Sequence, residues 1–207
     1  MSSDLNSLSN PFNSKYDRGS GALDRRHIFN ANYIYALPFF ASSSNLAARD
    51  MLGGWEFSGV TVAESGTPQY ITYNGADTLG LGGNTTNRPD QVAKVTYYPK
   101  QQTAWFNTSA FASPVAPWNG GANEGFGNAG KDAVVLPGRL RFDMSLFKTI
   151  ALTPHEGPSL ELRFESFNTF NHTQFDGVDA GSTDGNFGQV TSAYDPRVLQ
   201  LGAKFHF

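Results

Sequence analysis

Cysteine is absent from the 207-residue sequence, and charged residues are scarce. The lack of cysteine excludes a disulfide framework, a thiolate zinc site and a cysteine nucleophile. Charged residues make up 16% of the chain, well below the roughly 25% that is typical of soluble domains. No apolar run reaches the roughly 18 residues of a transmembrane helix, which excludes such a helix. The net charge of -3 and the dispersed basic residues offer no electrostatic basis for binding nucleic acid.

Glycine and aromatic residues are abundant, with 22 Gly, 17 Phe and 8 Tyr, and this composition favours strands and loops. Residues 1–24, rich in Ser, Asn and Gly, predict an N-terminal loop. Within residues 25–207, segments of alternating apolar and polar residues predict strands with one apolar face, at 27–37, 54–65, 139–150, 160–165 and 197–207. The predicted fold is therefore all-β, an antiparallel up-and-down meander of about five long strands.

The clearest alternation lies in the hairpin of residues 139–165. One face carries aliphatic and aromatic side chains such as Leu140, Phe142 and Leu162. The opposite face carries six charges, on Arg139, Arg141, Asp143, Glu161, Arg163 and Glu165. A charged side chain that faced lipid at the middle of the bilayer would destabilise the barrel by about 2 to 4 kcal/mol. In a membrane barrel this face is therefore predicted to line the lumen.

Other segments give weaker signals. In 54–65 both faces are mixed, so the apolar side stays undecided. Residues 69–73 are predicted to prolong the preceding strand past a turn, 92–98 to form a short edge strand, and the strand beginning at 160 to continue as far as Phe170. The regions at about 66–138 and about 171–195 lack periodicity and are predicted to be long loops.

The lengths of the connections alternate along the chain. Two long ones, 66–138 and 171–195, and two short ones, 38–52 and 151–158, fall on opposite ends of a meander. Long loops at one end and short turns at the other are typical of outer-membrane barrels, with the long loops extracellular. Strands of about 11 residues also match the height of the apolar band of such a barrel.

The final segment, RVLQLGAKFHF, alternates with an apolar face and ends on an aromatic residue. It resembles the C-terminal recognition signal of bacterial outer-membrane barrels, which requires a polar residue, a glycine and two aromatics at fixed spacing. Gln200, Gly202, Phe205 and Phe207 fill these positions. An ordinary terminal strand of a soluble β-sandwich remains the alternative for this segment alone.

Several stretches, by their order and spacing from about Asp24 onward, resemble the C-terminal part of TonB-dependent outer-membrane receptors. The resemblance is strongest to the acidobacterial, Oar-like type that carries a carboxypeptidase-regulatory-like domain. The stretches are DRRHIFNANYIYALPF, GGWEFSGVTVAESGTP, NRPD, AWFNTSAFASP, FGNAGKDAVVLPGRLRFDMSLFKTI, LELRFESFNTFNHTQF and RVLQLGAKF.

The resemblance implies a plugged barrel of about 22 strands in the bacterial outer membrane. About five strands cannot close such a barrel, so the chain is expected to be its C-terminal wall, with a structural and assembly-signal role. The N-terminus lacks a secretion signal, which an outer-membrane protein made alone would need. Either Met1 lies inside a longer chain, or the membrane interpretation is wrong. Ligand uptake would be the function of the full-length protein.

The implied partners are outer-membrane lipid, the barrel assembly machinery, and the remaining strands and plug. A glycan, a peptide or a siderophore-like molecule is the candidate ligand of the extracellular loops. No nucleic acid, no cofactor and no enzymatic activity is expected. The alternative function is a soluble carbohydrate-binding β-sandwich, and a glycan-active hydrolase is a weaker third.

Residues that could carry chemistry have simpler explanations. The histidines, His27, His155, His172 and His206, are dispersed and lack metal spacing. The Asp176–Asn186 loop is acidic, but its spacing misses the EF-hand pattern, which favours a solvated turn over a calcium site. Glu161 and Glu165 flank Arg163, so an ion-pair ladder is expected rather than a glycosidase pair.

Aromatic residues fall into two groups. Tyr33, Tyr35, Phe205 and Phe207 are predicted to form a membrane-interface girdle if the strands face lipid, and a soluble core otherwise. The aromatics of the first long loop are expected to pack onto the loop itself rather than on a glycan; they are Trp105, Phe106, Phe111, Trp118 and Phe126.

Overall fold

The computed structural model describes residue 10 and residues 13–40, 42–82, 87–121, 123–153 and 157–207. Its strands and its α-helix, in chain order, are β1 (Ile28–Ala36), α1 (Leu46–Leu52), β2 (Trp55–Glu64), β3 (Pro68–Gln69), β4 (Asp90–Gln91), β5 (Phe111–Ala112), β6 (Val134–Val135), β7 (Arg139–Ala151), β8 (Ser159–Phe167), β9 (Phe175–Val178), β10 (Val190–Ala193) and β11 (Val198–His206). Single 3-10 turns occur at Thr108–Ala110, Pro117–Asn119 and Asn123–Gly125. None of the helices in these described ranges is long and apolar enough to cross a membrane.

The five long strands form one antiparallel sheet in the order β1-β2-β7-β8-β11. Each long strand therefore lies beside the long strands that precede and follow it along the chain. Within the described part of the chain the sheet does not close, because β1 and β11 are its two edges. The predicted all-β meander of five long strands is confirmed.

Strand pairing sorts the side chains of this sheet onto two faces, because successive residues of a strand point to opposite sides. One side, here called the apolar face, carries Phe29, Ala31, Tyr33 and Tyr35 of β1; Trp55, Phe57, Gly59, Thr61 and Ala63 of β2; Leu140, Phe142, Met144, Leu146, Lys148 and Ile150 of β7; Leu160, Leu162, Phe164 and Ser166 of β8; and Leu199, Leu201, Ala203 and Phe205 of β11. The other side, the polar face, carries the intervening residues.

Pairing also decides the orientation of β2, which the sequence left open. Phe57 lies opposite Leu146, and Ser58 lies opposite Ser145. The aromatic residues of β2 thus join the apolar face of β7, while its glutamates join the charged side. Pairing with its neighbours fixes which face each side chain of such a mixed strand joins. A change of one residue in the register would move every side chain of the strand to the opposite face.

The connections leave the sheet at two different ends. The segments 37–54 and 152–158 connect strands at one end, here called the short-connection end. The segments 65–138 and 168–197 leave from the opposite, long-connection end. At the tight turn, the Leu152 N–H donates to the Pro158 carbonyl at 3.0 Å, while 154–156, including His155, lie outside the described residues.

The chain divides into two compact units. The sheet unit comprises 27–64, 139–174 and 194–207, and so contains all five long strands. The loop unit comprises the described part of 1–26 together with 65–138 and 175–193. It therefore contains most of both long connections.

The loop unit has a hydrophobic core, although its sequence shows no periodicity. The core residues are Ile71, Phe106, Ala110, Phe111, Ala129 and Val134, with Phe187 packed against them. Three short antiparallel pairs, β3 with β6, β4 with β5, and β9 with β10, support it. Both long connections therefore contain folded structure between the long strands.

The structure differs from three local expectations. Residues 69–73 do not prolong β2: Gln69 pairs with Val134, and Tyr73 pairs with Asn87. The predicted edge strand at 92–98 is met only at Tyr97, which bridges to Phe106, while β4 lies just before it at 90–91. The 171–195 region contains the β9–β10 hairpin. The partner of Gln69, Val134, is remote in sequence, so no local pattern reveals this pairing.

The strand β8 ends at Phe167 and does not continue to Phe170. Asn168 adopts a left-handed conformation with φ of 51°, which a strand cannot contain. Its backbone N–H donates to Asp143 at 2.8 Å, and its side-chain amide donates to the His172 carbonyl at 3.1 Å. Asparagine tolerates this conformation better than most residues, so the turn starts here.

Candidate functional site

The apolar face of the sheet exposes large hydrophobic side chains. Leu201, on the edge strand β11, is 80% exposed, and Phe29, Tyr35, Phe164 and Phe205 are also exposed. Exposed apolar surface that is continuous across several strands marks an interaction surface. This face is therefore the principal candidate functional surface of the sheet unit.

The polar face holds the charges that the sequence grouped together. All six predicted residues lie on it, and they form ion pairs: Arg139 with Glu64 at 3.3 Å, Arg141 with Asp143 at 2.7 Å, and Arg163 with Glu161 at 2.5 Å and Glu165 at 3.8 Å. The Arg139 pair spans two strands, whereas the others join residues two apart on one strand. These pairs neutralise the face locally, and its lining of a lumen stays a prediction.

The residues of the predicted assembly signal lie on both sides of β11. Gln200 and Gly202 are on the polar face, opposite Glu165 and Arg163. Phe205 is on the apolar face, and the ring of Phe207, just beyond the strand, lies 6.0 Å from it. The recognition role of these four residues stays a prediction.

Lys148 is the one charged residue on the apolar face of the five strands, all of whose residues the structure describes. Its side chain is only 5% exposed. The ammonium donates to the Asp50 carbonyl at 2.6 Å and to the Gly53 carbonyl, and it lies 5.9 Å from the centre of the Trp55 ring. These carbonyls terminate α1, where the helix dipole favours a cation.

Helix α1 is short and has defined ends. The Asn45 side chain caps its start by accepting from the Ala48 N–H at 3.2 Å, and the Gly53 N–H closes its end on the Arg49 carbonyl at 3.0 Å. The Trp55 indole donates to the Met51 carbonyl at 3.2 Å. Two side chains of the apolar face, Lys148 and Trp55, thus bind the last turn of α1.

Sequence reasoning missed this contact. Position 148 interrupts the run of apolar residues between Leu146 and Ile150, and that interruption was the available signal. The acceptors lie about 100 residues earlier in the chain, so nothing local identifies them. In the sequence alone, Lys148 therefore breaks the apolar alternation of β7 without an evident reason, and the structure supplies the reason in its carbonyl partners.

Gly59 makes room for an aromatic contact on the same face. A Cβ at this position would lie 2.6 Å from the Tyr33 ring, so only glycine lets that ring lie across the strand. Tyr33 also stacks on Phe57, with ring centres 5.8 Å apart. The aromatic cluster at the β1 edge depends on this glycine.

The aromatic residues of the loop unit follow the prediction of self-packing with one exception. Phe106, Phe111 and Phe126 are buried, and the Trp105 indole donates to the Val135 carbonyl at 3.0 Å. Trp118 is 62% exposed. The prediction is confirmed for the three phenylalanines and wrong for Trp118.

A buried polar cluster fixes the N-terminal segment of the loop unit. Arg88 pairs with Asp17, donates to the Tyr16 carbonyl at 2.8 Å and stacks on the Tyr16 ring. The Tyr16 hydroxyl donates to the Phe126 carbonyl. Burial raises the pKa of Tyr16 to about 12, against the opposing charge of Arg88.

A second polar centre shapes the glycine-rich loop after Ile71. Asp77 accepts from the N–H groups of Gly82 at 2.7 Å, Gly80 at 2.9 Å and Leu79 at 3.0 Å. These bonds, first among them that from Gly82, lower the pKa of the carboxyl. The loop contains the glycine-rich stretch GLGG at 80–83, and its last residue, Gly83, lies outside the described residues.

The acidic loop at 176–186 uses its carboxylates for local structure. Asp176 accepts from the Ser192 hydroxyl at 2.5 Å, and Asp179 accepts from the Gly181 N–H at 2.9 Å. Across the part of the chain that the structure describes, no three His, Asp or Glu side chains are grouped as metal ligands would be. His206 lies 3.8 Å from Glu161, on the polar face.

Comparison with known proteins gives one match. A family model described as an outer membrane beta barrel domain matches residues 2–200. No curated protein and no solved structure shows a significant match to the chain. The matched region covers nearly the whole sequence, including four of the five long strands in full and the start of the fifth.

Proposed function

Because this chain belongs to the outer membrane beta barrel domain family, we propose that it forms the C-terminal wall of a TonB-dependent transporter in that membrane. The family establishes a bacterial outer-membrane protein, and the open five-stranded sheet is an incomplete segment of its barrel. The proposal adds the transporter class, the ligand uptake and the position within the barrel. It takes them from the resemblance of the sequence to TonB-dependent receptors.

The segregation of charge on the sheet is the observation that carries the proposed orientation. The apolar face holds one charged residue, Lys148, and that residue is buried under α1. The polar face holds ion pairs on β2, β7 and β8. Each exposed charge would cost about 2 to 4 kcal/mol at the middle of a bilayer, so we place the apolar face toward lipid and the polar face toward the lumen.

The lengths of the connections support the direction of the chain across the membrane. In outer-membrane barrels, periplasmic turns are short and extracellular loops are long. The short-connection end, with 37–54 and 152–158, is therefore periplasmic in the proposal. The loop unit is built mainly from the extracellular connections, where a glycan, a peptide or a siderophore-like ligand would first meet the protein.

The open edges of the sheet define the structural partners in this proposal. β1 and β11 each leave one side of the strand without a partner among the described strands, and unpaired strand edges are avoided by barrel closure. Further strands of the same transporter would pair with both edges, and a plug would occupy the lumen. The barrel assembly machinery would recognise the β11 signal residues.

Family membership decides between the earlier alternatives. A soluble carbohydrate-binding β-sandwich would bury the apolar face against a second sheet, whereas Leu201 and Phe29 are exposed in this structure. The outer-membrane family and this exposure together make the sandwich interpretation wrong. Catalysis finds no support at Glu161 and Glu165, which share Arg163 as a partner.

The transporter class is tested by the gene and by its dependence on TonB. We expect the reading frame upstream of Met1 to continue in phase into further strands and a plug, and the full-length protein to bind the purified periplasmic domain of TonB. A frame that is closed directly upstream, with an outer-membrane product the size of this chain, would contradict the transporter assignment. The barrel assignment would survive that result.

A further inference from the structure

We propose that the connection between β1 and β2 is seated in the phospholipid leaflet at the short-connection end, held there by Lys148 and Trp55. The inference rests on the proposed orientation of the apolar face. It adds a second, non-strand surface that binds lipid. The surface consists of Phe39, Phe40, Met51 and Leu52, here called the interfacial patch.

The first step is the side of the sheet on which α1 lies. Both side chains that bind its last turn, Lys148 and Trp55, belong to the apolar face. Lys148 reaches the carbonyls of Asp50 and Gly53, and Trp55 reaches that of Met51. The end of α1 therefore covers the apolar face at its border, and does not turn toward the polar face.

The second step is the composition of the connection. Met51 is 72% exposed and Leu52 is 53% exposed. Phe39 and Phe40 are exposed as well, and the Phe40 backbone lies against the position of Gly53. Four large exposed apolar side chains in one connection are unfavourable in water, and they would gain by contact with acyl chains.

The third step is the level at which the patch lies. Aromatic residues mark the boundary between acyl chains and headgroups in membrane proteins. On the apolar face, Tyr35, Trp55 and Phe205 lie toward the short-connection end of their strands. The patch follows directly from this belt, so it is continuous with the lipid-facing surface rather than separate from it.

Lys148 also fits this location by its chemistry. A lysine that faces lipid needs either water or a full set of acceptors near the headgroups. The helix end supplies two carbonyl acceptors for the three N–H donors of the ammonium, which reduces its need for water at that point. Phospholipid is therefore the occupant that suits both the apolar patch and the hydrogen-bonded cation beside it.

The experiment uses the full-length protein reconstituted in phosphatidylcholine vesicles, with a nitroxide spin label on single cysteines. Met51→Cys reports on the patch, and Ser44→Cys is the matched control, a polar exposed residue of the same connection. Leu162→Cys, on the apolar face beside Lys148, reports on the orientation of the sheet. Collision rates are measured with oxygen, which enriches in lipid, and with a neutral nickel chelate, which stays in water.

We expect the labels at Met51 and Leu162 to favour oxygen several-fold over the nickel chelate, and the label at Ser44 to favour the chelate. If Leu162 favours oxygen and Met51 favours the chelate, the inference fails while the orientation of the sheet stands. If Leu162 favours the chelate, the orientation itself fails. A Met51 label shielded from both reagents, or a Ser44 label that also favours oxygen, would overturn the proposed contact of the interfacial patch with lipid.

Substitutions of Lys148 and Trp55, the two side chains that bind the end of α1, complete the test. Lys148→Met should release the last turn of α1 and raise the nickel collision rate at Met51 several-fold, while Lys148→Arg should retain most of the lipid signature. Trp55→Phe, which removes the indole donor and reduces the aromatic ring, should have a smaller effect in the same direction. An unchanged Met51 signature in Lys148→Met, with the sheet still assembled, would contradict the anchoring role.

Discussion

The two units of this chain place their apolar residues in opposite ways. The loop unit buries a hydrophobic core, in which Ile71 and Phe106 are almost wholly buried. The sheet unit places its large hydrophobic residues outside, on a face where Leu201 is 80% exposed. A hydrophobic residue faces whichever surroundings are apolar, so the difference indicates that the two units are built for different solvents, water for the loop unit and lipid for the sheet.

The same contrast explains how each unit is held together. The sheet depends on continuous backbone pairing along strands such as β7 and β8. The loop unit has short pairs and depends on packed aromatic rings, as where Phe106 meets Phe111 and Phe187 edge to face. The two units should therefore be destabilised by different kinds of mutation.

The largest effect is expected for Phe106→Ala in the loop unit. Removing a buried aromatic side chain typically costs about 3 to 5 kcal/mol, because the cavity cannot fill. Hydrogen exchange of the amide of Val92, which donates to the Ala110 carbonyl, should report a loss of this size. Trp118→Ala should change it by no more than about 0.5 kcal/mol. An equal loss of protection in β8 would show that the units are not distinct.

The next effect is expected for Leu146→Arg in the sheet. This residue lies near the middle of β7 on the apolar face, where an arginine would cost about 2 to 4 kcal/mol against lipid. The adjacent Ser145→Arg places the same charge on the polar face opposite Glu165, and should be nearly neutral. Denaturant titration of the assembled full-length protein in lipid measures both. Equal destabilisation by the two variants would contradict the difference between the faces.

A smaller effect is expected for Gly59→Ala. The added methyl would displace the Tyr33 ring, and such overpacking costs about 1 to 3 kcal/mol. Gly202→Ala is the control, since its Cβ would find the nearest atom, Arg163 Cβ, at 3.7 Å. The same titration compares the two variants. If Gly202→Ala reduced the assembled amount but left the stability unchanged, its role would be recognition rather than packing.

The smallest effect at ordinary pH concerns Tyr16. Its folded pKa of about 12 lies above the unfolded value of about 10, so the folded state holds its proton more tightly. The stabilisation is complete below about pH 10 and declines as the pH rises toward about 12. Proteolysis of the loop unit should accelerate in that window, and Tyr16→Phe should remove this tyrosine's share of the pH dependence.

The predictability of each region from sequence follows from the same contrast. In β7, the two different faces of the sheet impose a period of two, and the alternation from Arg139 to Leu146 could be read directly. In β2 both faces are mixed, and only its pairing with β7 decides them. In the loop unit, Phe106 is buried but belongs to irregular backbone, so its surroundings in the sequence show no periodicity. The sequence therefore predicted that the aromatics of this unit pack together, but it could not place the other core residues, such as Ile71 and Val134.

The candidate site divides in the same way. The six charges of the polar face were predictable because strand geometry alone places alternate residues together. Lys148 was not, because its acceptors are backbone carbonyls of a distant helix end. The turn at Asn168 was missed for a related reason, since its left-handed backbone is stabilised by Asp143 and other residues remote in sequence.

Cysteine scanning of β7 tests the central claim most directly, because this chain has no cysteine of its own. Each position from 139 to 150 is replaced in turn in the full-length protein, and intact cells and outer-membrane vesicles are treated with a membrane-impermeant maleimide. We predict labelling with a period of two, with 141, 143 and 145 reactive and 140, 142, 144 and 146 protected by lipid. Uniform labelling along the strand, or reactivity on the apolar face alone, would contradict this account.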